Sequence, residues 1–113
     1  MLNCSAIVGR LVSDPELKST SNGVSVCSFT VAVDRNYDRT QADFIDCVAW
    51  RQTAEFISKH FRKGSWIAVN GSIQTRSYED KSGNKRKATE LVADEVNFCG
   101  EKTVDDSPYG DIL

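Results

Sequence analysis

The sequence predicts an all-β fold: a five-stranded barrel with one α-helix between strands 3 and 4. Three observations predict it. At 113 residues the chain has room for one modest core and not for two. Its apolar residues recur in several separate runs with the two-residue period of a pleated strand. Only residues 53–64 carry them at helical spacing, and that segment follows the third run.

The elements follow in order. "NCSAIVGRLV" (3–12) is the first strand, with Gly9 expected to mark a bulge or bend. "SDPELKSTSNG" (13–23) is turn chemistry, opened by Asp14-Pro15 and closed by Asn22-Gly23. "VSVCSFTVAV" (24–33) is the clearest strand. Cys27, Phe29, Val31 and Val33 share one face, and the other is apolar or small, so the strand is expected to be central and covered on both sides. "DRNYDRTQAD" is a polar connector and "FIDCVAWR" (44–51) the third strand. "TAEFISKHFRKG" (53–64) is the helix. Thr53 is placed to cap it, Glu55 falls in its first turn, and Lys59, Arg62 and Lys63 suit the negative end of the dipole. Gly64 is the expected left-handed stop. Ile57 and Phe61 form its inner face. "SWIAVNGSIQTRSY" is the fourth strand with a bulge at Gly71, "EDKSGN" a hairpin loop, and "KRKATELVADEVNF" the fifth strand. This is the order of an OB-fold barrel, which presents one face and its 1–2 and 4–5 loops to oligonucleotides or oligosaccharides. Residues 1–100 form that domain, and 101–113 a short, acidic, mobile tail without periodicity.

Several classes of function are excluded by composition. No apolar run is long enough to cross a membrane. The N-terminal segment has no basic leader ahead of its apolar residues, which predicts a cytoplasmic, nucleoid-associated protein rather than a secreted one. The cysteines at 4, 27, 47 and 99 form no C-x-x-C pair, and His60 is the one histidine, so neither metal nor cofactor is expected. The cysteines read as small, buried, reduced thiols. Glycine-rich phosphate loops and nucleophile elbows are absent, and Asp43 and Asp46 lie three apart on a strand, facing opposite sides; no enzyme is expected.

Charge and rings point instead to a polyanion. Residues 1–87 hold 13 Lys+Arg against 9 Asp+Glu, and residues 88–113 one Lys against 7 acids, so a basic body is hidden in a net charge of −2. Tyr37, Phe44, Trp50 and Tyr78 each sit at a strand end or beside a polar connector, with arginine nearby: Arg35 and Arg39 flank Tyr37, Arg51 follows Trp50, and Arg76 precedes Tyr78. Phe44 and Trp50, six apart on one strand, face the same way. Phe29, Phe56 and Phe61 read as core, and Trp66 as packing beside the helix end. Rings interleaved with guanidinium groups suit single-stranded nucleic acid, because unpaired bases stack on any ring while cations neutralise phosphates. The expected phosphate contacts are Arg10, Lys18, Arg35, Arg39, Arg51, Arg62, Lys63, Arg76, and the loop set Lys81, Lys85, Arg86 and Lys87. An RNA-binding module, or a protein-interaction domain whose rings form an oligomer seam, would use the same features.

The motifs "VGRLVSDPELK", "TSNGVSVCSFTVAVDR", "DFIDCVAWRQTAEFISKHFRKGS" and "VNGSIQTRSYEDKSGNKR" give the chain a specific resemblance, over about residues 1–99, to the bacterial-type single-stranded DNA-binding proteins. That resemblance implies a homotetramer of D2 symmetry that coats single-stranded DNA in replication, recombination and repair. It also implies that Tyr37, Phe44, Trp50 and Tyr78 hold the family's stacking positions, with smaller rings at some of them than the usual tryptophan. The tail departs from the family pattern. Asp105, Asp106, Pro108 and Tyr109 resemble the acidic tip by which such proteins engage replication or recombination partners, but four residues follow the ring and almost no linker precedes it.

Overall fold

A computed structural model describes residues 1–99. The acidic tail, with Asp105, Asp106, Pro108 and Tyr109, lies outside the described residues. The elements are β1 (Ser5–Leu11), β2 (Glu16–Ser19), β3 (Ser25–Arg35), β4 (Asp38–Trp50), α1 (Arg51–His60), β5 (Trp66–Glu79) and β6 (Lys85–Phe98). The sheet order is β1-β5-β6-β4-β3-β2, and β1 also pairs with β3, which closes five strands into a barrel. The β4–β6 pair is parallel and the other pairings are antiparallel. This is the expected OB-fold barrel.

The helix falls between the fourth and fifth strands rather than the third and fourth. The extra strand is β2, which the sequence presents as turn residues. Its four residues are all exposed and pair only with β3, so no buried face writes a period into them. The polar connector is likewise shorter than expected. β4 begins at Asp38, because Asp38–Asp43 extends the β3–β4 ladder beyond the core.

Alternation in the strands builds the interior. Cys27, Phe29 and Val31 from β3, Cys47 and Ala49 from β4, Ile67 and Val69 from β5, and Leu91 and Ala93 from β6 point inward. One end is plugged by Ala54 and Ile57 of α1 together with Phe61. Two of these groups are thiols, and burial pushes Cys47 up to about 12 and Cys27 to about 11, keeping both protonated.

The helix ends differ from expectation. It starts at Arg51, with Trp50 in the cap position and no side-chain cap, so Thr53 lies inside the first turn. Arg51 has φ of 57°, a left-handed conformation in a residue with a Cβ, which lets β4 run straight into the helix. At the other end Phe61 is extended, and its N–H bonds to the Ile57 carbonyl. Gly64 (φ 86°) instead turns the chain from Arg62 into β5, where its N–H donates to the Leu11 carbonyl at 2.8 Å.

Gly9 keeps regular register, without a bulge. A Cβ there would collide with the Ala32 carbonyl and the Val31 side chain, so glycine is what lets β1 approach β3 and close the barrel. The bulge expected in the fourth predicted strand is present, at Asn70/Gly71 in β5. β3 is central in the sheet, flanked by β1, β2 and β4, but its outer face is not covered among the described residues: Ser28 is exposed, and Val26, Thr30 and Ala32 are partly so.

Candidate nucleic-acid interface

The outer face of β3 and β4 is built by the same alternation that fills the core. Opposite the inward Ile45, Cys47 and Ala49, β4 turns Phe44, Asp46, Val48 and Trp50 outward. The ladder pairs Trp50 with Val26 and Phe44 with Ala32 without an intervening bulge, so both rings stand over one face of short side chains. Tyr37 occupies the β3–β4 turn, and Tyr78 lies near the tip of the β5–β6 hairpin. Tyr37 is 84% exposed, Phe44 69%, and Trp50 and Tyr78 44% each, far from core values. The four predicted rings are therefore all open to solvent.

Two clefts run between Trp50 and Tyr78. One of about 300 Å³ lies between Trp50, Val26 and Ser28 on one side and Gln74, Arg76 and Glu90 on the other. The next, of about 550 Å³, continues past Thr30 and Asp46 to Arg76, Tyr78 and Lys87, and is bounded by the β1–β2 loop through Ser13 and Asp14. Arg76 lines both clefts and holds its guanidinium 5.5 Å from the centre of the Tyr78 ring. From Ile73 onward β5 is exposed on both faces, so the hairpin stands clear of the barrel beside these clefts.

Electrostatics within the interface are labile. Arg35 bonds both carboxylate oxygens of Asp43, Arg76 pairs with Glu90 at 3.0 Å, and Arg86 with Asp80 at 3.0 Å. Lys18 pairs with Glu16 at 3.7 Å. Exposed pairs of this kind contribute roughly 0–1 kcal/mol, so a phosphate can displace the carboxylate. The hairpin tip is pinned by Asp80, which accepts the N–H groups of Ser82 and Asn84 at 2.9 Å each. The Arg86 hydrogen bond, followed by these backbone bonds, holds the Asp80 carboxyl below the usual aspartate range.

Not every predicted cation converges on the rings. Arg76 and Lys87 line the clefts just described, and Arg10, Arg35 and Arg39 gather on the far side of Phe44. Lys81, Lys85 and Arg86 belong to the hairpin and its loop. Arg62, by contrast, donates to the carbonyls of Ser58 and Phe61 at the helix end, and the Lys63 N–H is tied to Asp14. Neither of these two lines the clefts, and nor do Lys18 and Arg51. Sequence reasoning missed the floor residues Val26, Ser28 and Thr30 and the wall residue Gln74. The small, polar alternate face of "VSVCSFTVAV" was the available signal. Among the described residues, no cluster of three or more His, Cys, Asp or Glu side chains could hold a metal ion, and no helix is long and apolar enough to cross a membrane.

Comparison with known proteins decides what kind of barrel this is. The Single-strand binding protein family matches residues 2–99. The chain belongs to that family. A Staphylococcus aureus (strain MSSA476) protein named single-stranded DNA-binding protein 1 is 45% identical over 111 residues, covering 95% of this chain and 71% of the relative. The single-stranded DNA-binding protein of Halalkalibacterium halodurans is 48% identical over 102 residues, 87% of this chain and 61% of the relative. Single-stranded DNA-binding protein 2 of Staphylococcus aureus (strain COL) is 47% identical over 106 residues, 90% of this chain and 76% of the relative. Family membership agrees with a barrel whose exposed rings flank open clefts.

Proposed function

We propose that the chain binds single-stranded DNA without sequence preference and protects it during replication, recombination and repair. Bases stack on Tyr37, Phe44, Trp50 and Tyr78, and phosphates meet the cations around them. The observation that carries the reading is the placement of these four rings: solvent-open, and distributed over one barrel face and the two hairpins beside it. Duplex DNA suits such a surface poorly, because its bases already stack on each other. Binding of a labelled oligo(dT), followed by anisotropy, tests the proposal. Single-stranded DNA is expected to bind far more tightly than duplex of the same sequence. Equal affinity for duplex, or a strong preference for RNA of the same sequence, would refute it.

The active form in this reading is a homotetramer of D2 symmetry. β1 pairs with β5 along Ser5–Arg10 but with β3 only at Arg10 and Leu11, which leaves one edge of Ser5–Gly9 unpaired among the described residues. An open edge can pair with its symmetry mate, residue i to residue j and j to i. Residues 1–100 would act as the binding domain in the bacterial cytoplasm, at the nucleoid. Residues 101–113 would recruit replication or recombination proteins through Asp105, Asp106, Pro108 and Tyr109.

A further inference from the structure

The interface does not stop at Phe44. Register alone extends it: Phe44 on β4 pairs with Ala32 on β3, Ala32 with Arg10 on β1, and Arg10 with Trp66 on β5. Cross-strand partners point to the same face of a sheet. Ile67 and Val69, the inward neighbours of Trp66 along β5, are buried, so Trp66 points outward with Arg10, Ala32 and Phe44. Trp66 is half-buried, and Arg10 lies over its ring, with its guanidinium carbon 4.7 Å from the ring centre. Trp66 also lies beside the helix end, as the sequence predicts, where it lines a cleft with His60, Phe61, Gly64 and Ser65.

Between Phe44 and Trp66 the surface is hollow. A cleft of about 460 Å³ has Val8 and Ala32 in its floor, with Arg10, Arg35, Arg39 and Trp66 around it. Clefts of roughly 300–1,000 Å³ are the size that takes a small ligand, and one nucleotide belongs to that class. Three guanidinium groups and one carboxylate, Asp34, surround the space, and Arg35 already spends part of its charge on Asp43. The balance favours an anion. A wide ring beside a pocket of arginines is the same combination found at Tyr78 and Arg76.

We infer that Trp66 and Arg10 form a fifth stacking site, which takes a further nucleotide of the bound strand beyond Phe44. The site rests on the single-stranded DNA reading and lengthens its path around the barrel. In the free chain Arg10 shields the ring. On binding it moves to a phosphate and leaves the ring face to a base.

The chain has two tryptophans, Trp50 and Trp66, so a Trp50→Phe protein retains a stacking ring and reports from Trp66 alone. Its emission is titrated with oligo(dT) while anisotropy of a labelled oligo(dT) reports binding independently. Trp66 emission is expected to quench in step with the anisotropy. In the otherwise native chain, Trp66→Leu keeps apolar bulk without a stacking face and is expected to weaken binding roughly 5- to 150-fold, the range of a lost ring–base stack. Trp66→Phe should lose much less, and Arg10→Ala should flatten the salt dependence. Melting curves confirm that each variant folds. Unchanged Trp66 emission while anisotropy reports binding overturns the site, as does native affinity in a folded Trp66→Leu protein. A Trp66 signal that changes on dilution without DNA, together with dissociation of Trp66→Leu oligomers, assigns the ring to a contact between copies and also overturns it. If the native chain leaves oligo(dT) unbound by anisotropy, the functional reading fails and the fifth site falls with it.

Discussion

Phe44 and Trp50 carry the clearest prediction at the scale of single residues. Both stand on an open face, so replacing either by Ala removes a stacking surface and little packing. Each replacement should cost roughly 1–3 kcal/mol of single-strand affinity, the range known for ring–base stacks in proteins of this kind. The melting temperature should hardly move; a large fall would place these rings in the core. Arg51 makes a second case. Its φ of 57° costs an L-residue roughly 1–2 kcal/mol that glycine avoids, so Arg51→Gly should raise the unfolding free energy by about 1 kcal/mol in denaturant titrations. The sequence could not announce this strain, because only the strand-to-helix junction imposes it. Thiol reactivity makes a third. Exposed Cys4 should react with a thiol reagent in the native protein at once, whereas Cys27 and Cys47, buried and held protonated, should react only on unfolding.

The β5–β6 hairpin is the element on which charge and shape meet. Its outer half has no core beneath it, so the order of its tip depends on local bonds to Asp80. That carboxyl is held below its ordinary value, so its contribution is fully present above the unfolded aspartate value and is lost as the pH falls through the lower, folded one. Amide exchange should accordingly show Ser82 and Asn84 protected at neutral pH and losing protection in acid, with Asp80→Ala lacking that protection throughout. Protection in Asp80→Ala equal to the native chain's would mean that something other than this carboxylate orders the tip. The hairpin was legible in the sequence because Gly83 and the flanking alternation mark a turn between strands. β2 was not, because four exposed residues paired on one side leave no periodic trace.

For the whole molecule, affinity should fall with salt by about 0.7 log units per log unit for each phosphate neutralised. Replacing Arg76 or Lys87, which line the cleft beside Tyr78, should flatten that slope without changing base preference. A salt-independent affinity would contradict the electrostatic half of the reading. Deleting residues 101–113 removes four acids and one lysine, and should raise single-strand affinity most at low salt, where screening is weakest. Unchanged affinity at low salt would show that the tail does not compete with DNA. Sedimentation at micromolar concentration should give a tetramer, and a monomer would remove β1 as the seam.

The sequence by itself determined the barrel, its single helix, the inward set Cys27, Phe29, Val31, Ile57 and Phe61, and the exposure of Tyr37, Phe44, Trp50 and Tyr78. Each of these is written locally, as a period of two or of four residues, or as a ring stranded among charges. Only the tertiary structure decided that Gly9 serves barrel closure rather than a bulge, that the Arg62 guanidinium is tied up at the helix end while Lys63 lies outside the clefts, and that Trp66 lies in one row with Phe44. Those facts depend on which strand lies beside which and in what register. Residues 10, 32, 44 and 66 become neighbours only when the sheet closes, and no local pattern records a contact between positions so far apart in the chain.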